Sequence, residues 1–365
     1  MMLHVGQFNL PSREQFEAAM RGIFERRYYT NQGPLTRAFE ERLQSELSVK
    51  HAICVTNATI GLMMASEALG IVGRVIVPAV GNATLANALR WCRAETAFAD
   101  VDMADGQFDV EALDASIAEK GNVKAIIGAN SWGDACNAPA LVALARAHRL
   151  PIMFDSSHGF GCVVAGRPVG SFGDVEVLSF DAADIVNAAG GACVATNDDE
   201  LAARLRNIRS SYGAGKPVDV VKTSNGRMSE AQAALGLLSL DAYHANRSRN
   251  RALFEAYRTG LNSISGVCVV EPRRAELSNH QTLVCAVDEQ VASLSRDALI
   301  ARLAEREVEA VAVRALDAQS RSGAYVDRSW LRLPLGAHVC PSDVERVCAL
   351  IDEAVKNARM AGSLA

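Results

Sequence analysis

Short apolar runs alternate with amphipathic helical patterns along much of this 365-residue chain. In each helical pattern, apolar residues recur at three- and four-residue spacing, as on one face of a helix. The clearest pairs are HAICVT with TIGLMMASEALG, RVIVPA with ATLANALRWC, and VKAIIGAN with APALVALARAHR. Strands that alternate with helices predict an α/β domain built on a mostly parallel sheet.

Three further patterns refine this prediction. The chain opens with a helical pattern that we expect to end near Tyr28 and Tyr29. VEVLSF and GACVATN follow each other without a full helix between them, so we expect an antiparallel strand in the sheet. A long helix beginning near Ser229 leads towards a smaller C-terminal α/β region. We therefore predict a large domain, residues 1–245, and a small domain, residues 246–365.

Composition narrows the class of protein. Hydrophobic residues make up 49% and charged residues 22% of the chain, as in soluble globular proteins. The net charge of −5 and the absence of a long basic run argue against nucleic-acid and membrane partners. There is no membrane-length apolar run and no signal-peptide pattern, so we expect a cytoplasmic protein. The cysteines are scattered and form no CxxC pair, so we expect buried thiols and no metal site.

The carboxyl ends of the predicted strands carry the residues of chemical interest. Ligands of open parallel sheets bind beyond these strand ends. Five segments occupy such positions: TNAT at 56–59, PAVGNAT at 78–84, NSWGD at 130–134, FDSSHGFG at 154–161 and SFDAAD at 179–184. We expect them to converge on one pocket for a small-molecule substrate.

Taken singly, each candidate residue permits two interpretations. Ala58 and Thr59 open a helix, where free N–H groups suit a phosphate, but the same turn can serve only as a helix cap. Asp155 could hold a protonated ring nitrogen or cap a loop. His158 could line the pocket or belong to the core, and Ser179 could bind phosphate or merely end its strand.

Segments along nearly the whole chain resemble the DegT/StrS-type sugar aminotransferases, fold-type I enzymes that use pyridoxal 5′-phosphate (PLP). The matching segments are YYTNQGPLTRAFEERLQSEL, VTNATIGLMMASEALG, FDSSHGFGCVVAGRPVGSFGDVEVLSF, TSNGRMSEAQAALGLLSLD and LRLPLGAHV. The most similar group comprises transaminases of nucleotide-linked 4-keto-6-deoxyhexoses. The resemblance implies a large, mixed, mostly parallel sheet domain plus a smaller C-terminal α/β domain. It also implies a role in amino-sugar or secondary-metabolite biosynthesis.

The resemblance implies roles for the candidate residues. Ala58 and Thr59 would hold the PLP phosphate, helped by Ser179. Asp155 would keep the pyridine nitrogen protonated, so that the ring can draw electrons from a carbanion. His158 would line the face or the O3′ side of the ring.

Asn225 would have a role between subunits. The resemblance implies that this residue, in TSNGRMSE, reaches across an interface to the phosphate bound by a partner subunit. A homodimer with shared pockets is therefore expected. A heteromer with an active paralogue is the alternative.

The resemblance breaks at the centre of the chemistry. The corresponding loop of the family reads approximately Ser-Phe-His-x-Thr-Lys, and its lysine bonds PLP as an imine and shuttles protons. Aligning the flanking Ser-Phe and Gly-Gly pairs puts Asp184 at the position of this lysine. A carboxylate cannot form the imine, although it can move protons. In addition, Asn82 replaces a ring-stacking aromatic residue, Asn130 replaces a histidine, and 311–323 replaces the substrate loop.

Three hypotheses remain open. The chain could use PLP or pyridoxamine 5′-phosphate (PMP) non-covalently, with altered chemistry. It could use the pocket without PLP, with Asp184, Asp155 and His158 as acid–base groups. It could also be a non-catalytic subunit or sensor. From the residues alone, binding of PLP or PMP and the absence of any cofactor are equally plausible. Lys216 and Lys222 are candidate substitute lysines, although we expect both on the surface.

Overall fold

A computed structural model describes residues 2–210, 215–220 and 222–362 of the chain. The strands are β1 His51–Val55, β2 Arg74–Pro78, β3 Glu95–Ala99, β4 Val123–Ala129, β5 Ile152–Asp155, β6 Val163–Val164, β7 Arg167–Pro168, β8 Val175–Phe180, β9 Gly191–Thr196, β10 Val267–Val269, β11 Leu283–Val287, β12 Val311–Ala312 and β13 Trp330–Leu333. The helices are α1 Arg13–Arg26, α2 Pro34–Leu47, α3 Ala58–Ala68, α4 Ala83–Trp91, α5 Val110–Lys120, α6 Ala138–Ala147, α7 Asp199–Arg209, α8 Glu230–Leu261, α9 Glu289–Ala292, α10 Arg296–Glu305, α11 Arg321–Ser329 and α12 Pro341–Gly362.

A seven-stranded sheet organises the larger part of the molecule. Its strand order is β1-β9-β8-β5-β4-β2-β3. Within this sheet β9 runs antiparallel to both of its neighbours, β1 and β8, and the other pairs are parallel. The predicted antiparallel strand is therefore confirmed. Strands β4, β5 and β8 are buried along most of their length, as expected of strands covered by helices on both faces.

Helices cover both faces of this sheet. On one face α3, α4 and α7 pack through buried apolar residues that include Leu62, Leu85 and Leu205. On the other face α2 and the beginning of α8 pack near β1, β8 and β9, while α5 and α6 pack further along the sheet. No helix in the described ranges is both long and apolar enough to cross a membrane.

A four-stranded antiparallel sheet, in the order β10-β11-β13-β12, forms a second body with α10, α12 and the end of α8. The predicted long helix is confirmed: α8 begins after Ser229, whose hydroxyl and the side chain of Gln232 form a capping box. The predicted domain boundary between residues 245 and 246 falls inside α8. The division into 1–245 and 246–365 therefore stays a prediction.

The first helix is shorter than its sequence pattern indicates. It ends at Arg26, before the predicted end near Tyr28 and Tyr29. Arg27 adopts a left-handed conformation with φ of 54°, and its N–H donates to the carbonyl of Phe24. A left-handed residue ends a helix by turning the chain away from the helical path.

Candidate active site

The loops after β1, β2, β4, β5 and β8 lie along one edge of the large sheet, because these strands run in the same direction. Hydrogen bonds join several of these loops. The N–H of Asn130 donates to the carbonyl of Asp155 at 2.8 Å. The side-chain amide of Gln232 donates to the carbonyls of Thr56 at 3.1 Å and Ala189 at 3.3 Å. This edge therefore brings together the segments that the strand-end rule selects.

The turn before α3 has the geometry of an anion site. Asn57, rather than Thr59, is the N-cap residue, and its Oδ1 accepts from the N–H of Ile60 at 2.9 Å. Ala58 and Thr59 are the first two helical residues, and N–H groups at these positions lack acceptors within the helix. The cap and the candidate phosphate donors are therefore different residues, so the two interpretations of this turn are compatible.

Asn225 lies beside the same turn within its own chain. The N–H of Thr56 donates to the carbonyl of Gly226 at 2.9 Å, which holds the segment against the end of β1. The side-chain oxygen of Asn225 accepts from Nε of Arg227 at 3.0 Å. A reach from Asn225 to the phosphate site of a partner stays a prediction.

Asp155 ends β5 and is buried. Its Oδ1 accepts from the N–H and the hydroxyl of Ser157, whereas Oδ2 has no hydrogen-bond partner among the described residues. Burial raises the pKa of Asp155, and the hydrogen bonds from Ser157 oppose this rise. One carboxylate oxygen is therefore held in place while the other remains available to a cationic N–H.

His158 is a neutral group in this site. The N–H of Trp132 lies 3.3 Å from Nδ1 of His158, which assigns Nδ1 as the acceptor and places the ring hydrogen on Nε2. Burial lowers the pKa of His158 to about 4, and the positive charge of Arg332 lowers it further in the same direction. At neutral pH the imidazole can thus donate one hydrogen bond but carries no charge.

Asp184 is 5% exposed, and its carboxyl group faces hydrogen-bond donors. The N–H of Asp181 donates to Oδ2 at 2.8 Å, and the side chain of Gln281 lies 3.4 Å from Oδ1. Burial raises the pKa of Asp184 to about 7, although hydrogen bonds from Ser179, Asp181 and Gln281 act in the opposite direction. Both protonation states are therefore populated near neutral pH.

Residues distant in sequence hold the Asp184 loop in position. The N–H of Gln7 donates to the carbonyl of Ala183 at 3.2 Å, and the side chain of Asn9 donates to the carbonyl of Ile185 at 3.0 Å. Gln281 accepts from the N–H of Ile185 at 3.2 Å. Sequence reasoning did not identify Gln7 or Gln281, because neither lies in a motif of the site. Only the fold brings them next to the loop.

The PAVGNAT segment, which contains Asn82, is hydrogen-bonded to the 311–323 segment. Asn82 caps α4, and its Oδ1 accepts from the N–H of Thr84 at 3.0 Å. The carbonyl of Ala79 accepts from the N–H groups of Leu316 at 2.8 Å and Asp317 at 3.1 Å. The segments that carry two of the departures from the family pattern are therefore neighbours where the second body meets the large sheet.

Asn130 has a structural role, because its side-chain hydrogen bonds are internal to the protein. It is 1% exposed, and its Nδ2 donates to the hydroxyl of Ser156 at 2.8 Å and lies 3.3 Å from the carboxylate of Glu176. Its Oδ1 accepts from the N–H of Cys136 at 2.9 Å. These internal bonds use both ends of the amide, so this side chain braces the loop behind Asp155.

The candidate substitute lysines are on the surface, as expected. The side chain of Lys222 is 66% exposed, and its Nζ donates to Glu67 at 2.9 Å. Lys216 is also exposed. Neither side chain is part of the buried environment of Asp184.

The large mixed sheet with helices on both faces is the fold of the fold-type I aminotransferases. Residues 11–352 match the DegT/DnrJ/EryC1/StrS aminotransferase family, and the chain belongs to this family. It is 29% identical over 301 residues to a dTDP-4-amino-4,6-dideoxy-D-glucose transaminase from Shigella dysenteriae, covering 81% of this chain and 80% of the relative. It is 28% identical to a GDP-perosamine synthase from Caulobacter vibrioides, covering 86% and 88% of the two chains. Among solved structures, DesI in the presence of its TDP-sugar product superposes with a TM-score of 0.92 at 34% identity, covering 99% of this chain and 95% of DesI.

Proposed function

We propose that this chain is an enzyme of small-molecule biosynthesis that holds PLP or PMP without a covalent bond and uses Asp184 as its proton-transferring group. The substrate class that best fits is a nucleotide-linked sugar, since the similar proteins are named for dTDP- and GDP-linked sugars. The observation that carries the proposal is the buried carboxyl of Asp184, whose pKa is raised to about 7.

Both ends of the site suit the cofactor. The first N–H groups of α3, at Ala58 and Thr59, would hold the phosphate. The available oxygen of Asp155 would accept a hydrogen bond from the ring nitrogen. When bound, the cofactor would supply a ring that withdraws electrons from the reacting carbon. The centre of the site contains the acid of Asp184 in place of an amine, so a covalent link at this position does not fit.

Asp184 has the properties of a proton carrier. The protonated carboxyl can donate a proton, and the ionised one can accept it, which is most effective when the pKa lies near the working pH. The donors at Asp181 and Gln281 orient the carboxyl group. The bonds from Gln7 and Asn9 to neighbouring carbonyls limit movement of the loop that bears it. His158, which is neutral, would serve as a hydrogen-bond donor through Nε2.

The charge of Asp184 makes cofactor affinity depend on pH. A carboxylate repels the phosphate dianion, and a pair of unit charges 4 Å apart interacts with about 1 kcal/mol in water and about 4 kcal/mol at an effective dielectric constant of 20. Because the pKa of Asp184 is about 7, its negative charge develops as the pH rises through neutrality. Affinity for PLP or PMP should therefore fall over that interval.

Absorbance titration with PLP and PMP tests this proposal. Asp184→Asn removes the charge and keeps the shape, so it should tighten binding at about pH 8 by roughly five- to a hundredfold and abolish the loss of affinity between about pH 6 and pH 8. Glu41→Gln, which removes an exposed carboxylate of α2, is the control and should have a much smaller effect. If neither PLP nor PMP binds to the parent or to Asp184→Asn, the proposal is wrong. The hypotheses of a PLP-independent enzyme or of a non-catalytic subunit would then replace it.

Covalent attachment provides a second test. Borohydride reduction followed by intact-mass analysis should give no PLP adduct with the parent protein. Asp184→Lys should give one, because the candidate phosphate and ring-nitrogen contacts are unchanged. A stable adduct on the parent protein would contradict the proposal and would identify a substitute lysine.

A further inference from the structure

Arg332 is a residue that the proposed function leaves unexplained. It lies in β13 and pairs in register with Val284 of β11. Leu331 and Leu333, its neighbours in the strand, belong to the apolar core of the second body. Side chains alternate between the faces of a strand. Arg332 is therefore on the opposite face, which also carries Val284 and Trp330 and packs against the large sheet.

The guanidinium of Arg332 has no hydrogen-bond or ion-pair partner among the described residues. It is half-buried, and this burial lowers the pKa of Arg332. The acid whose charge opposes this shift is Glu309, but the Glu309 carboxylate is already bonded to the N–H of Val5 at 2.8 Å and to His4 at 3.2 Å. Burying a charged group without a partner costs stability. A stabilising structural role therefore does not account for Arg332.

Arg332 lies near His158, one of the candidate active-site residues. Its charge acts on His158, whose pKa it helps to lower. His158 is bonded to the N–H of Trp132, and the ring of Trp132 packs edge-on against Trp330 at 5.4 Å, two residues before Arg332. Arg332 thus places a positive group near His158.

We propose that Arg332 binds an oxyanion of the substrate and is part of the substrate recognition site. The inference rests on the proposed function, because it takes the same cleft as the place of reaction. A guanidinium donates two parallel hydrogen bonds to a carboxylate or to a phosphate. Two sources of the oxyanion share this chemistry: the carboxylate of an amino-acid donor and the diphosphate of a nucleotide-linked sugar.

Calorimetric titration with L-glutamate and with thymidine diphosphate, with and without PMP, distinguishes these sources. Arg332→Met keeps much of the apolar length of the side chain and removes the charge. It should weaken binding of one of the two anions about ten- to a hundredfold. Arg332→Lys keeps the charge but loses the pair of parallel hydrogen-bond donors. Its affinity for that anion should lie between the affinities of Arg332→Met and the parent. Arg328→Met, in which an exposed arginine of α11 is changed, is the matched control and should bind both anions as the parent does.

Two readouts separate recognition from a structural role. Without ligand, Arg332→Met should have a higher Tm than the parent, because it removes a buried charge that lacks a partner. In NMR titrations, the binding anion should raise the pKa of His158 in the parent but not in Arg332→Met, with His158→Gln identifying the signal.

Three results would overturn the inference. These are unchanged binding of both anions by Arg332→Met, a lower Tm of that variant, and failure of the parent to bind either anion. PMP binding by the same variants reports on the proposed function separately. A variant that binds PMP normally and both anions like the parent would overturn only the role of Arg332.

Discussion

Asp184 shows how burial changes the chemistry of a single side chain. In the unfolded chain the pKa of Asp184 would be about 3.9, whereas burial in the fold raises it to about 7. Hydrogen bonds from Ser179, Asp181 and Gln281 favour the ionised form, yet the loss of water outweighs them. Between these two pKa values the folded protein keeps a proton that the unfolded chain has released. Asp184 therefore contributes less to stability as the pH rises.

This linkage predicts a pH-dependent difference in stability between the parent and Asp184→Asn. The contribution of Asp184 is fully present below about pH 4 and is lost as the pH rises through about 7. Asp184→Asn should therefore gain stability relative to the parent by about 1.4 kcal/mol per pH unit in this interval, and by on the order of 4 kcal/mol in total. Urea unfolding of both proteins at a series of pH values measures the difference.

Measuring the difference between the parent and Asp184→Asn removes the effect of other titrating groups. The pKa values of His158 and His280 are lowered to about 4, so each of them makes stability rise with pH between about 4 and 6.5. Both are present in parent and variant and largely cancel in the difference. Asp219→Asn, which removes an exposed carboxylate, is the control. A constant difference between parent and Asp184→Asn would show that Asp184 is ionised throughout.

At the scale of elements, one carboxylate connects α2 and α8. Glu230 is fully buried at the first position of α8. Its oxygens accept from the N–H groups of Gly33 at 2.9 Å, Leu35 at 2.9 Å and Thr36 at 3.0 Å, and from the hydroxyl of Thr36. Gly33 has no side chain to cap α2, so Glu230 satisfies the free N–H groups of that helix.

Glu230→Gln should destabilise the protein by about 2–3 kcal/mol, because an amide loses the charge and turns its own N–H donors towards N–H donors. The midpoint of urea unfolding measures this change. Glu41→Gln, on an exposed position of α2, should leave the midpoint nearly unchanged. Equal midpoints for Glu230→Gln and the parent would mean that the two helices are held together mainly by their apolar contacts.

At the scale of the whole molecule, an apolar surface lies where a partner subunit is expected. A groove of about 790 Å³ follows α3 and is lined by Met63, Met64, Trp91 and residues 222–224. Trp91 is 73% exposed. Exposed apolar patches of this kind mark interaction sites. The groove includes part of the TSNGRMSE region, which the family resemblance assigns to contact with a second subunit.

We therefore expect a homodimer, with this groove in its interface. Light scattering at micromolar concentration should give twice the mass of the chain. Trp91→Glu should shift the protein towards monomer, whereas Val291→Glu, at an exposed apolar position of the second body, should not. A parent protein that is monomeric under these conditions would rule out the homodimer. Assembly only with an added active paralogue would favour the heteromer.

The sequence by itself determined the order of strands and helices, the antiparallel strand and the segments at the strand ends. These features depend on local periodicity and on the direction of neighbouring strands. The spacing of apolar residues and the order of elements along the chain indicate both. It also determined that an acid stands in the SFDAAD loop. Only the tertiary structure decided what that acid can do, because the burial of Asp184 and its bond from Gln281 come from elements far away in the chain. The sequence likewise did not predict the unpaired charge of Arg332 or the internal hydrogen bonds of Asn130. Both depend on which groups the packed fold places near these side chains, and a local sequence pattern does not encode distances between remote residues.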